Sequence, residues 1–195
     1  MLKNIALISF FIAFTVVMLG AWVRLTDAGL GCPDWPGCYG DILVPNNVDL
    51  IDGFDQSLDD RPFNSGKAWR EMIHRYLASA LGILCLAILA LAWKRGEKIL
   101  LPVLLVLMVG FQGILGMLTV TWLLKPVIVM AHLLGGLTTL SLLFLIVRKD
   151  KPKITASINL KRLVLIGFFA LITQIALGGW TSSNYAATAC PDFPT

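Results

Sequence analysis

The stretch Asn4-Ile-Ala-Leu-Ile-Ser-Phe-Phe-Ile-Ala-Phe-Thr-Val-Val-Met-Leu-Gly-Ala-Trp-Val23 runs for twenty residues without a charge. The hydrocarbon core of a bilayer is ~30 Å thick and takes about 20 apolar residues in a helix, so this stretch reads as a membrane span. Four more follow, at about Ala68 to Trp93, Ile99 to Leu124, Pro126 to Val147 and Leu163 to Thr181. None shows the short alternating pattern of a barrel strand. Backbone in lipid must also satisfy its own hydrogen bonds, so the expected fold is all-α, a polytopic membrane protein. Composition agrees. Of 195 residues, 57% are hydrophobic and only 14% charged, with a mean hydropathy of +0.78, against roughly 25% charged in soluble domains. An ordinary soluble enzyme, a disordered tail and a disulfide-stapled mini-protein are excluded. Lys3 before an apolar run resembles a cleaved leader, but the run is long for one and has an internal counterpart, described below.

Charge sets the expected orientation. Lys3, the segment Lys94–Lys98 and the segment Arg148–Arg162 hold ten basic residues against Glu97 and Asp150, a net +8. The segments at the other ends of the helices hold six basic and ten acidic residues, a net −4. The positive-inside rule places the N-terminus in the cytoplasm and the long loop 24–67 outside. The formal charge of +4 is thus a topology signal and gives no reason to expect a nucleic-acid partner. Trp22, Trp69, Trp93, Trp122 and Trp180 sit at helix ends, as an interfacial aromatic belt would.

Two segments repeat. Leu19-Gly-Ala-Trp22 is followed by Cys32-Pro-Asp-Trp-Pro36, and Leu177-Gly-Gly-Trp180 by Cys190-Pro-Asp-Phe-Pro194, at a constant offset of 158. The fifth helix is then the first helix of a second copy, and the repeat unit is four helices, which makes both copies parallel. The expected division is a four-helix half at 1–150 and the start of a second half at 151–195. In the first copy the motif closes with Cys38; the equivalent position in the second would be 196. The expectation is a truncated sequence or fragment of an eight-helix protein, with Cys190 pairing beyond the C-terminus.

Few residues can do chemistry. The loop 24–67 carries eight Asp and Gly31-Cys-Pro-Asp-Trp-Pro-Gly-Cys38. In an oxidising compartment Cys32 and Cys38 are expected to form a disulfide, either a structural staple or a redox-active pair. The spacing is not C-x-x-C and the loop has no His for a zinc site. Cys85, mid-helix, reads as a small buried apolar residue. The two histidines, His74 and His132, both lie in spans, on helices of the same direction and at similar depth. An ionisable residue in a membrane is a functional candidate. His132 shares a helix face with Gly135, Gly136 and Thr139, and His74 with Ala78 and Gly82. Small residues there fit close helix packing or a flat macrocycle held edge-on, with imidazole as axial haem ligand. Glu71, one turn from His74, is either an ion-pair partner of Arg70, Arg75 or Lys67, or a proton acceptor or positioning group beside the haem. Gly110, Gly113 and Gly116, with Gln112 among them, read as a packing ridge.

Taken in order, Gly20-Ala-Trp-Val-Arg-Leu-Thr26, Gly29-Leu-Gly-Cys-Pro-Asp-Trp-Pro-Gly-Cys38, Glu71-Met-Ile-His-Arg75, Gln112-Gly-Ile-Leu-Gly116, Ala131-His132, Gly178-Gly-Trp180 and Asn184 to Pro194 resemble haem A synthase, in its bacterial form with a cysteine-containing loop. The resemblance implies an eight-helix protein of two pseudo-symmetric halves in the bacterial cell membrane. It oxidises the C8 methyl of haem O to a formyl group by two successive hydroxylations, yielding haem A for terminal oxidases. It further implies His74 and His132 as axial ligands of the haem O iron, Glu71 as the essential acidic residue, Cys32 and Cys38 as the loop pair, and a haem b between two further histidines in the second half. Expected partners are haem O synthase, an electron donor and the lipid bilayer, with a homo-oligomer as a further possibility. This sequence stops before the second histidine pair, so by the same resemblance it holds haem O but lacks the family's electron route, and the chain alone is expected to be catalytically incomplete. Three other readings compete: a bis-His cytochrome b that only transfers electrons, a membrane disulfide oxidoreductase working through Cys32 and Cys38, and a non-enzymatic assembly subunit with structural histidines.

Overall fold

The structure, a computed structural model, describes residues 2–46, 63–150, 152 and 155–186. Cys190 and the rest of the second Cys-Pro-Asp motif lie outside the described residues. Five helices are present among them: α1 (Leu2–Leu25), α2 (Ser65–Lys94), α3 (Leu100–Thr121), α4 (Pro126–Arg148) and α5 (Ile158–Ser183), each long and apolar enough to cross a membrane. The described residues form no strand beyond the isolated Cys38–Asp41 bridge.

Local chemistry sets the ends. Asn64 accepts the Lys67 amide at 3.0 Å and caps α2. Ser157 caps α5 through the Leu160 amide, so that helix begins at Ile158 rather than Leu163. The third helix ends at Thr121, short of Leu124, because Leu123 and Leu124 take φ of 50° and 55° to turn the chain. Pro126 then starts α4, where its missing N–H leaves no helical hydrogen bond unmade.

The first four helices form a bundle in which α1 packs on α2 and α4, and α3 on α2 and α4. Its two ends differ. Away from the loop, Leu2, Ala6, Ala13, Leu81, Cys85, Ile88, Ala92, Leu105, Leu143 and Ile146 make a dry core. At the loop end a second cluster gathers Cys32, Cys38, Tyr39, Val44, Ala68 and Met72. Between the two lies a layer with His74, His132 and Gln112, which belongs to neither.

α5 packs on α4 alone among the helices, and of its residues only Ser183 is buried. At the loop end it is tied to α1. Arg24 Nη2 donates to the Ser182 carbonyl at 2.5 Å, its guanidinium lies 4.1 Å from the Tyr185 ring centroid, and the Tyr185 hydroxyl donates to Asp27 at 3.2 Å. Both hydrogen-bonded pairs are separated by 158 positions, the offset of the sequence repeat. Repeat-equivalent positions therefore face one another, as they do on the two-fold axis of an isologous contact.

The belt tryptophans Trp22, Trp69, Trp93, Trp122 and Trp180 are all exposed on the bundle surface, available to the membrane interface. Gly110 and Gly113, expected to pack, are not a ridge: a Cβ on either would meet nothing within 4 Å. Only Gly116 of the three faces inward.

Candidate functional site

The loop that follows α1 is built around one buried ion pair. Glu71 and Arg75, one turn apart on α2, pair at 2.5 Å with side chains only 7% and 12% exposed. The other Glu71 oxygen accepts the backbone N–H of Cys32 at 3.0 Å. Arg75 Nη1 reaches the carbonyls of Asp34 at 3.0 Å, Pro36 at 3.3 Å and Gly37 at 2.5 Å. Together they bind both arms of the loop closed by the Cys32–Cys38 disulfide. Asp34 secures the inner turn by accepting the amides of Tyr39 at 2.6 Å and Gly40 at 2.8 Å. Gly31 has no room for a side chain, since a Cβ would lie 2.6 Å from the Lys67 carbonyl carbon and 2.7 Å from the Ala68 amide. The loop thus seats directly on the backbone at the start of α2.

Beneath it lie the histidines. His74 points across the bundle to α1, where the Val16 carbonyl is within hydrogen-bonding range of its imidazole. A Cβ on Gly20 would sit 3.1 Å from His74 Nε2. His132 lies against α3, where a Cβ on Gly116 would be 3.6 Å from its ring. His74 and His132 stand on α2 and α4, the diagonally opposed helices of the bundle, and His132 Nδ1 is buried with no hydrogen-bond partner. A buried imidazole nitrogen left unpartnered is costly. This donor set fits an iron held between two neutral imidazoles.

The space beside Gly135 is not open to a macrocycle. The Gln112 carboxamide fills it, pressed so closely that a Cβ on Gly135 would overlap Gln112 Nε2. The same amide approaches Gly136, and its Nε2 is buried and unpartnered. The glycines against the imidazoles are instead Gly20 and Gly116. Cys85 is fully buried in the core and takes no part.

Among the described residues no group of three or more His, Cys, Asp or Glu could hold a bare metal ion. A profile of the family described as cytochrome oxidase assembly protein matches residues 3–195. The chain belongs to that family. Its relatives include haem A synthase of Shewanella oneidensis, 50% identical over 185 residues covering 92% of this chain and 56% of the relative. Haem A synthase of Halalkalibacterium halodurans is 25% identical over 193 residues, covering 92% of this chain and 58% of the relative. That of Brucella anthropi is 27% identical, covering 95% and 58%. No solved structure matches the chain. This member of the cytochrome oxidase assembly family spans little more than half the length of those relatives.

Within this family member, the structure sets His74 against α1 and His132 against α3, and sets Glu71 against the disulfide loop. The sequence names Arg75 only as one of three candidate partners of Glu71; the fold selects it. Val16 and Gly20 do not stand out in the sequence, because their role depends on which face of α1 turns toward His74. Their one signal is spacing: four residues apart, they share a helical face.

Proposed function

We propose that this chain is the haem O-binding half of a haem A synthase, taking haem O between His74 and His132 for oxidation of its C8 methyl to a formyl group by two successive hydroxylations. The observation that carries this reading is the presence of an imidazole on each of α2 and α4, the diagonally opposed helices of the bundle, with Gly20 and Gly116 against them and His132 Nδ1 unpartnered. The names of the relatives, haem A synthase, support haem A as the product.

Haem iron supplies oxidising equivalents that side chains do not have. The chain's own residues bind and orient. His74 and His132 would hold the haem through its iron. Glu71 is a positioning residue, because its carboxylate is engaged by Arg75 and by the Cys32 amide and keeps the loop closed over the histidines. In this reading the loop end faces the outside of the cell membrane and the N-terminus the cytoplasm. In this reading His74 and His132 serve haem O and no second haem. Haem O synthase and an electron donor are the partners the reading requires.

The test is reconstitution of the purified chain with haem O. A low-spin bis-imidazole spectrum, lost in both His74→Ala and His132→Ala, supports the assignment; a spectrum indifferent to both substitutions removes it. Formation of formyl haem in the full-length context separates the synthase from a cytochrome b that only transfers electrons.

A further inference from the structure

Gln112 carries a buried polar group that the proposed site does not use. It projects from α3 against Gly135 and Gly136 of α4, near Val17 of α1. Its Nε2 is buried without a partner. A buried amide donor left unpaired costs roughly 1–3 kcal/mol, so a site that keeps one either wastes stability or reserves the group for a ligand.

Depth says which part of the ligand it would meet. α3 runs toward the loop end, and Gln112 precedes Gly116, the residue beneath His132, by one helical turn, about 6 Å at 1.5 Å per residue. α4 runs away from the loop, and Gly135 follows His132. Both place the carboxamide one layer further from the loop than the iron ligands, on the side of the dry core formed by Leu81, Cys85, Leu105 and Leu143. The propionates of a bound haem cannot point that way, because a carboxylate in an apolar core is prohibitively costly. They must point toward the loop end, where Arg24, Lys67 and Arg70 lie. The opposite edge of the macrocycle then faces Gln112. In haem O that edge carries the hydroxylated isoprenoid chain, whose hydroxyl is the only polar group away from the propionates. Haem B has a vinyl group there.

Resting on the haem O reading above, we propose that the Gln112 carboxamide is the hydrogen-bond partner of the haem O side-chain hydroxyl, and so the residue by which the site recognises haem O against haem B. The carboxamide offers a donor or an acceptor by turning about its last torsion, which suits a hydroxyl. A site built to bond a hydroxyl discriminates strongly against the analogue that lacks it, because its own polar group is then stranded.

The experiment titrates the purified full chain with haem O, with haem B and with a deoxy haem O that carries hydrogen in place of the side-chain hydroxyl, for the unsubstituted protein and for Gln112→Met, which keeps length and loses the hydrogen bond. The isoprenoid tail alone favours haem O, so the reading is the change in preference. Gln112→Met is expected to weaken haem O binding about tenfold and leave haem B unchanged. Removal of the hydroxyl is expected to weaken binding to the unsubstituted protein by a similar factor and to make no difference in the variant. Equal losses for haem O and haem B, or no loss for either, overturn the proposal. If Gln112→Met binds neither haem, the deoxy ligand on the unsubstituted chain decides. A chain that gives no bis-imidazole spectrum with any haem removes the site reading itself; an intact spectrum with an unchanged preference removes only the role of Gln112.

Discussion

Glu71 and Cys32, 39 positions apart, are joined by a 3.0 Å hydrogen bond from the Cys32 amide to the Glu71 carboxylate. The carboxylate that the sequence places beside a histidine is thereby the anchor of the disulfide loop, and Arg75 completes the anchor from the next turn.

Loss of one member of a buried ion pair leaves the other uncompensated, at about 3–5 kcal/mol. Glu71→Ala is therefore expected to lower the thermal midpoint of the detergent-solubilised protein and to open the loop to protease between residues 32 and 41. An unchanged midpoint and cleavage pattern would show that the anchor is not what holds the loop.

The Cys32–Cys38 link closes a short ring, and chain entropy assigns such a ring about 2 kcal/mol. Since Arg75 and Asp34 hold the same loop independently, a Cys32→Ser, Cys38→Ser double variant is expected to remain folded, with a modestly lower midpoint and haem O binding retained. Retained formyl-haem formation in a full-length protein carrying both changes identifies the pair as a staple; its abolition with binding intact assigns it a redox role.

Gly20 sits where any side chain meets the imidazole, a Cβ being 3.1 Å from His74 Nε2. Gly20→Val should displace His74 and weaken haem O retention on the order of tenfold, as loss of support around a metal ligand does, while Gly110→Ala, where a Cβ meets nothing, should leave binding unchanged and not lower stability. Similar behaviour of the two variants in a haem titration would disprove the role of Gly20.

Asp27 joins the loop end of α1 to Lys67 of α2 by an ion pair and to Tyr185, just after α5, by a hydrogen bond. Lys67, 3.0 Å away, keeps the Asp27 carboxyl below its ordinary value of 3.8, with a further contribution from the Tyr185 hydroxyl. A depressed acid stabilises the folded state above its unfolded pKa, and that contribution fades as pH falls below 3.8. The distance between spin labels attached at Leu25→Cys and Asn184→Cys, both exposed, should be constant from about pH 5 to 8 and lengthen only in the acid range; because Asp27 is largely exposed, the effect should be small and reduced by salt. A distance that already lengthens between about pH 7 and 5 contradicts this account.

The spans are legible in the sequence because each is a long uncharged run, and hydropathy decides membrane residence residue by residue without knowledge of neighbours. Candidate ligands are legible for a related reason: only two histidines exist, and both lie in spans. Side-chain facing is not. The sequence suggests room beside His132 at Gly135, yet α3 fills it with Gln112; it suggests a packing ridge at Gly110 and Gly113, yet they face away from the bundle. In a helix that is apolar all round, no hydrophobic stripe marks the buried side, so the rotation of each helix is set by its neighbours.

The sequence by itself determined the membrane class, the five spans, the 158-residue repeat and the short set of residues with chemical potential, since these rest on composition, run length and spacing along the chain. Only the tertiary structure decided that Glu71 holds the loop through Cys32 and Arg75, that Gly20 and Gly116 lie against the imidazoles, that Gln112 stands unpartnered in their layer, and that Arg24 and Asp27 meet their repeat equivalents Ser182 and Tyr185. These depend on helix rotation and on contacts between distant segments, which no local pattern in a uniformly apolar helix encodes.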